Sequence, residues 1–171
     1  LLVSCYPGFA NIAHKSETMK GDKIIKAAVV GVGNILLKDE GIGIHVVRAL
    51  REAIGSRTDV DIIDGGTSPD ALLGLETVPK LILVDAARGG GAPGTIYRFH
   101  PGDIATESKG ITSLHQLGLL DSLQMMKLSG SQPADIVIIG VEPKEIDWGL
   151  ELSPELNEKL PQIVQVVMGL I

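Results

Sequence analysis

Apolar residues follow two rhythms along this chain. Four short runs, Ala27 to Val32, Val60 to Ile63, Leu81 to Val84 and Ile136 to Ile139, are nearly unbroken and β-branched, the pattern of strands buried on both faces. Between them apolar positions recur at helical spacing. Ile42, Val46, Leu50 and Ile54 make one face of a helix, with Asp39 as its expected N-cap and Glu40 in its first turn, where the helix dipole suits negative charge. Gly31 and Gly33 let the backbone turn between that helix and the strand before it. Ser68 to Glu76 reads as a short helix with Ser68 as cap, Pro69 at the first position and Leu72, Leu73 and Leu75 in apolar contact. Ser113 to Leu128 reads as a helix opened by the capping-box pattern Ser113-Leu114-His115-Gln116, with Leu117, Leu120, Leu123 or Gln124, and Met126 inward. Ser153-Pro154-Glu155 starts the final helix, with Leu156, Leu160, Ile163 and Val167 inward; Pro161 is expected to kink or split it. Thr95 to Phe99 alternates instead, as a half-exposed strand running antiparallel at a sheet edge. Pro143 to Leu152 holds the only tryptophan, Trp148, and has no period.

Strands alternating with helices specify the α/β class: a three-layer α/β/α sandwich around a mostly parallel, twisted sheet of about five strands with one antiparallel edge strand. Right-handed crossovers bring the carboxyl ends of the parallel strands to one rim, so Glu40, Asp64, Asp85 and Gly140 are expected there together. Residues 1–22 lack periodicity and read as a loose N-terminal extension; residues 23–171 read as a single α/β domain, with no internal repeat. Apolar content of 44% with only 3% aromatics makes the core aliphatic. A net charge of -6 without a basic run speaks against nucleic acid. No apolar stretch reaches the roughly 18–20 residues that span a bilayer, and the N-terminal stretch lacks a signal peptide's basic end and apolar core. The sole cysteine, Cys5, rules out a disulfide framework and a thiolate metal cluster, and the cytoplasm is the default compartment.

Three acids and one histidine stand out on the rim: Glu40, Asp64, Asp85 and His115. A histidine in a first helical turn meets the positive end of the dipole, which disfavours imidazolium, and a neutral imidazole is what a metal needs. Glu, Asp and His together make an oxygen and nitrogen set suited to a divalent transition ion. The plainer alternative is structural. An aspartate at a strand end commonly caps the next loop, and D-G-G-T at 64–67 has turn chemistry. His45 and His100 are expected to be solvated. Other chemistries fit worse. Leu36 occupies the third glycine position of a dinucleotide fingerprint, G-K-[ST] is absent, and so is G-x-S-x-G. Any hydrolysis is left to a metal-polarised carbonyl or a metal-bound water.

The motifs G-V-G-N-I-L-L-K-D-E-G-I-G at 31–43, D-G-G-T at 64–67, L-V-D-A at 83–86, A-P-G-T at 92–95, S-L-H-Q-L-G-L at 113–119 and G-V-E-P at 140–143 follow one another in an order that resembles the [NiFe]-hydrogenase maturation endopeptidases. The resemblance runs from Ile24 to the C-terminus. It implies a peptidase that removes a C-terminal extension from the [NiFe]-hydrogenase large-subunit precursor after nickel insertion. It implies that Glu40, Asp85 and His115 bind nickel, and that the precursor supplies this nickel. Asp64 matches a characteristic family position and is the candidate general base of an aspartic-type hydrolysis. The alternatives are a non-catalytic nickel-checking chaperone and a small-ligand-binding α/β domain. The Gly89–Gly91 run departs from the family pattern and predicts a flexible loop after Asp85.

Overall fold

The computed structural model describes residues 18–20, 23–102 and 116–171. A five-stranded sheet forms the middle layer. Its strands are β3 (Ala27–Val32), β4 (Val60–Gly66), β5 (Lys80–Ala86), β6 (Ile96–Phe99) and β7 (Asp135–Val141), in the spatial order β4-β3-β5-β7-β6. Three neighbouring pairs are parallel, and β6 closes one edge antiparallel to β7, as the alternation of Thr95 to Phe99 predicts. Two further strands, β1 (Thr18–Lys20) and β2 (Lys23–Ile25), pair antiparallel in a small sheet of their own. Three residues of the stretch expected to be a loose extension therefore form a strand; residues 1–17, 21 and 22 lie outside the described residues.

Three of the continuous apolar runs are buried because helices cover both faces; the fourth, Val60 to Ile63, lies in the edge strand β4, where Val60 is buried and Ile62 and Ile63 are only half-buried. One face carries α1 (Ile42–Ile54) and α3 (Pro154–Met168), packed on Val29, Ile82, Val84, Val137 and Ile139. The other carries α2 (Gln116–Leu128) and a 3-10 turn, Pro69–Leu72, packed on Val30, Leu81, Leu83 and Ile138. Ile42, Val46 and Leu50 are fully buried and Ile54 packs against them, so the helical spacing reads the face correctly. Each such aliphatic side chain contributes about 1.5–3 kcal/mol through burial.

Four local expectations are revised. The helix expected from Ser68 to Glu76 is only the 3-10 turn: Ser68 does cap it, its oxygen accepting from the Asp70 N–H at 3.2 Å, but Gly74 adopts φ +81° and Leu73 points to solvent. Pro161 does not split α3, which runs as one span. The Pro161 ring lies on the exposed side, while Leu156, Ile163, Val164 and Val167 hold the turns before and after it to the sheet. In α2, Leu123 and Met126 are buried as expected, Leu119 joins them, and Leu120 is only half-buried. The capping box at Ser113 lies outside the described residues. The last revision concerns Asp39 and belongs to the site.

Candidate functional site

The strand register places the acids at one end of the sheet. Asp64 on β4 pairs with Gly31 on β3, Gly31 pairs with Val84 on β5, and Asp85 pairs with Gly140 on β7. All four strands are parallel there, so this is a shared carboxyl rim, where open α/β sheets bind ligands.

The loop from β3 to α1 delivers Glu40 to the same rim. Gly33 adopts φ +136°, a conformation that side chains disfavour. A Cβ at Gly43 would strike the carbonyls of Val32 and Val84, and one at Gly31 would strike the carbonyl of Gly43. Helix and strand therefore touch backbone to backbone. Lys38–Gly41 forms a 3-10 turn that packs on β5, the strand carrying Asp85. Glu40 is 5% exposed and Asp85 is 1% exposed. Asp85 Oδ1 accepts the Ala86 N–H at 2.8 Å. Two carboxylates are thus buried on touching elements.

Asp64 sits at the same end of the sheet but on its other face. Strand alternation points Val60, Ile62 and then Asp64 toward α1, whereas Leu81, Leu83 and then Asp85 point toward α2. Arg48 of α1 donates to Asp64 Oδ2 at 3.1 Å, and the Gly66 N–H reaches Oδ1 at 3.3 Å. His115 lies outside the described residues, just ahead of α2, the helix on Asp85's face of the sheet. Among the described residues no three His, Cys, Asp or Glu side chains form a complete metal cluster.

Asp39 is not the helix cap. Its carboxylate is fully buried and accepts four hydrogen bonds from the other end of the chain: Lys144 N–H at 2.9 Å, Glu145 N–H at 3.0 Å, Ser153 N–H at 2.7 Å and Ser153 Oγ–H at 2.8 Å. It ties the turn that carries Glu40 to the segment 144–153. An isolated bridge between Leu37 and Gly149, with backbone bonds from Lys38 N–H to Gly149 and from Gly149 N–H to Leu36, continues the seam. No signal within the D-E-G motif separates a local cap from this distant role.

Glu142, in the G-V-E-P motif, acts similarly on the other side. Its Oε2 accepts from Gly89 N–H at 2.7 Å, Gly91 N–H at 3.2 Å and the Tyr97 hydroxyl at 2.6 Å. The glycine run expected to be flexible is fastened. Burial opposes ionisation of Glu142, yet the bonds from Tyr97 and from the Gly89, Gly90 and Gly91 amides outweigh it and hold the carboxyl below its usual value. A carboxyl depressed in the folded state stabilises the fold above its ordinary range, near pH ~4.3, and that stabilisation is lost as pH falls through the folded value. Glu142→Gln is expected to lower stability by about 1–3 kcal/mol near pH ~7 and to flatten the acid limb of the stability profile. Urea unfolding of both proteins across the acid range checks this; parallel profiles would show that Glu142 does not carry the dependence.

His45 is half-buried rather than solvated. Burial and Arg48 lower its pKa, against a hydrogen bond to the Leu150 carbonyl and the charge of Asp39. His100 is exposed, with Nδ1 2.8 Å from the Ile136 carbonyl. No helix among the described residues is long and apolar enough to cross a membrane.

Comparison with known proteins adds the family context of this rim. A family profile described as hydrogenase maturation protease matches residues 44–170, a span that includes Asp64, Asp85 and His115. The hydrogenase 2 maturation protease of Escherichia coli strain K12 is 34% identical over 149 residues, which cover 85% of this chain and 91% of that protein. Among solved structures, the hydrogenase maturating endopeptidase HybD from E. coli aligns with a TM-score of 0.74 and 32% identity over 85% of this chain and 91% of that one. The [NiFe] hydrogenase maturation protease HybD from Thermococcus kodakarensis aligns with a TM-score of 0.71 and 27% identity over 85% and 99%.

Proposed function

This chain belongs to the hydrogenase maturation protease family, and from that premise we propose that it is a nickel-dependent endopeptidase acting on the C-terminal extension of a [NiFe]-hydrogenase large-subunit precursor. Peptidase activity in hydrogenase maturation follows from the family. The E. coli and T. kodakarensis relatives are named as proteases and endopeptidases, which favours cleavage over a purely binding role. Nickel dependence is the further step. The observation that supports it is the pair of buried carboxylates, Glu40 and Asp85, on touching elements at one end of the sheet. Carboxylate oxygens with one imidazole, from His115, are a donor set that suits a divalent nickel ion and leaves coordination positions open.

In this reading nickel is cargo. It arrives in the precursor, and as a Lewis acid it would supply polarisation of a nearby carbonyl. The chain's own residues do the rest. Glu40, Asp85 and His115 grip the nickel centre and so align the scissile peptide along the rim. The close backbone contact at Gly31 and Gly43 fixes the grip, because a ligand misplaced by even 1 Å can lose much of the rate. Asp64, paired with Arg48 on the face of the sheet opposite Asp85, is the candidate base for a water that reaches it around the strand ends.

The test is affinity for two forms of one precursor. The nickel-loaded form should bind at least about tenfold more tightly than the nickel-free form, and His115→Ala should abolish the difference while leaving metal-independent docking. Titration of both forms against both proteins measures it. Equal affinity of the wild type for the two forms would mean that the rim does not read nickel.

A further inference from the structure

The seam that Asp39 closes presents apolar side chains to solvent. Leu36, Trp148 and Leu150 are 49%, 77% and 61% exposed, and Ile146 is exposed beside them. The Leu37–Gly149 bridge and its backbone bonds bring the turn at Leu36 against the segment that carries Trp148 and Leu150 on either side of Gly149, with Ile146 three residues before it. The patch is rigid, since Asp39 binds the segment at Lys144, Glu145 and Ser153 and Lys38 pairs with Glu145 at 3.0 Å. Clustered exposed apolar residues on a monomer mark an interaction site, and a preorganised tryptophan is the commonest kind of anchor in one.

Two features identify the occupant. The patch is continuous with the rim: Leu36 lies four positions before Glu40 and its carbonyl accepts the Gly149 N–H. Its fringe is acidic. Glu145 is engaged by Lys38, whereas the exposed Asp147 and Glu151 make no ion pair among the described residues. A second copy of this chain would bring the same acidic fringe and repel. The fitting partner has an apolar centre with a basic border and carries a bond to be cut at the rim.

We propose that Leu36, Trp148 and Leu150 form a platform on which the folded body of the large-subunit precursor docks, apart from the peptide that is cleaved. This rests on the reading of the rim as the place of cleavage. The platform gives affinity and register, and the rim gives the cut. Specificity for one precursor over others is then set by the precursor's surface opposite Trp148 rather than by its extension alone.

The experiment measures precursor binding and cleavage for wild type, Trp148→Ala, Leu150→Ala and Glu40→Gln, together with sedimentation of the free proteins. Trp148→Ala should raise Kd and KM for the nickel-loaded precursor about tenfold or more and leave kcat and the thermal midpoint unchanged, because the ring is exposed. Glu40→Gln should bind the precursor and fail to cut it. Wild-type affinity in both platform variants, with Glu40→Gln still inactive, would overturn the platform and leave the rim reading intact. Normal cleavage by Glu40→Gln would overturn the rim reading whatever the platform does. A shift in self-association in Trp148→Ala with precursor affinity unchanged would make the patch a homodimer face and overturn the proposal.

Discussion

Replacing Asp39 by alanine is expected to lower stability by about 3–5 kcal/mol and the thermal midpoint by roughly 10 °C or more. The carboxylate accepts three backbone N–H groups and one hydroxyl, and alanine orphans all of them. An unmade buried hydrogen bond costs about 1–3 kcal/mol, and hydration of the Lys144 and Glu145 amides, which are only partly buried, recovers part of that cost. Asp39→Asn should fall between, since one oxygen remains and the amide points a donor at other donors. Cleavage should fall with stability in both variants, because the turn released is the one that carries Glu40. Thermal unfolding with an activity assay checks this. A midpoint within about 2 °C of wild type in Asp39→Ala would show that the segment 144–153 is held by something else.

Glu40→Gln separates folding from function. The side chain is 5% exposed, and a neutral amide is cheaper to bury than a carboxylate, so stability should move by about 1 kcal/mol or less. Processing of the nickel-loaded precursor should fall by roughly 100-fold or more. Loss of a residue merely supporting a metal ligand already costs about 10–100-fold, and a direct ligand lies at or beyond the upper end. Single-turnover cleavage followed by gel mobility measures it. Cleavage within about threefold of wild type at limiting nickel would remove Glu40 from the site.

What could be read from the chain and what could not divides by range. The strands were legible because a parallel sheet covered by helices needs unbroken apolar runs, and Val29, Ile82 and Val137 are buried as those runs require. The face of α1 and the Ser153 cap of α3 were legible because both depend on residues three or four apart. Asp39, by contrast, looks local and acts at a distance: a cap and a long-range anchor use the same residue type at the same place. Glu142 is visible in the sequence only as part of G-V-E-P, whereas its grip on Gly89 and Gly91 needs a loop 51 to 53 positions away. Register and crossover handedness brought Asp64 and Asp85 to one rim. Which face each occupies depends on the strand register, and a slip of a single residue would swap them.

Asp39 also sets an order in time. Its partners are 105 to 114 positions later, so the ribosome delivers the anchor long before anything it can hold. While the chain is being made, β3, α1 and β5 can collapse on one another, but the turn bearing Glu40 has no lock until residues 144–153 emerge. Contacts of such wide separation close late in folding. The turn that carries Glu40 is therefore without its anchor in the nascent chain until the segment 144–153 has been made.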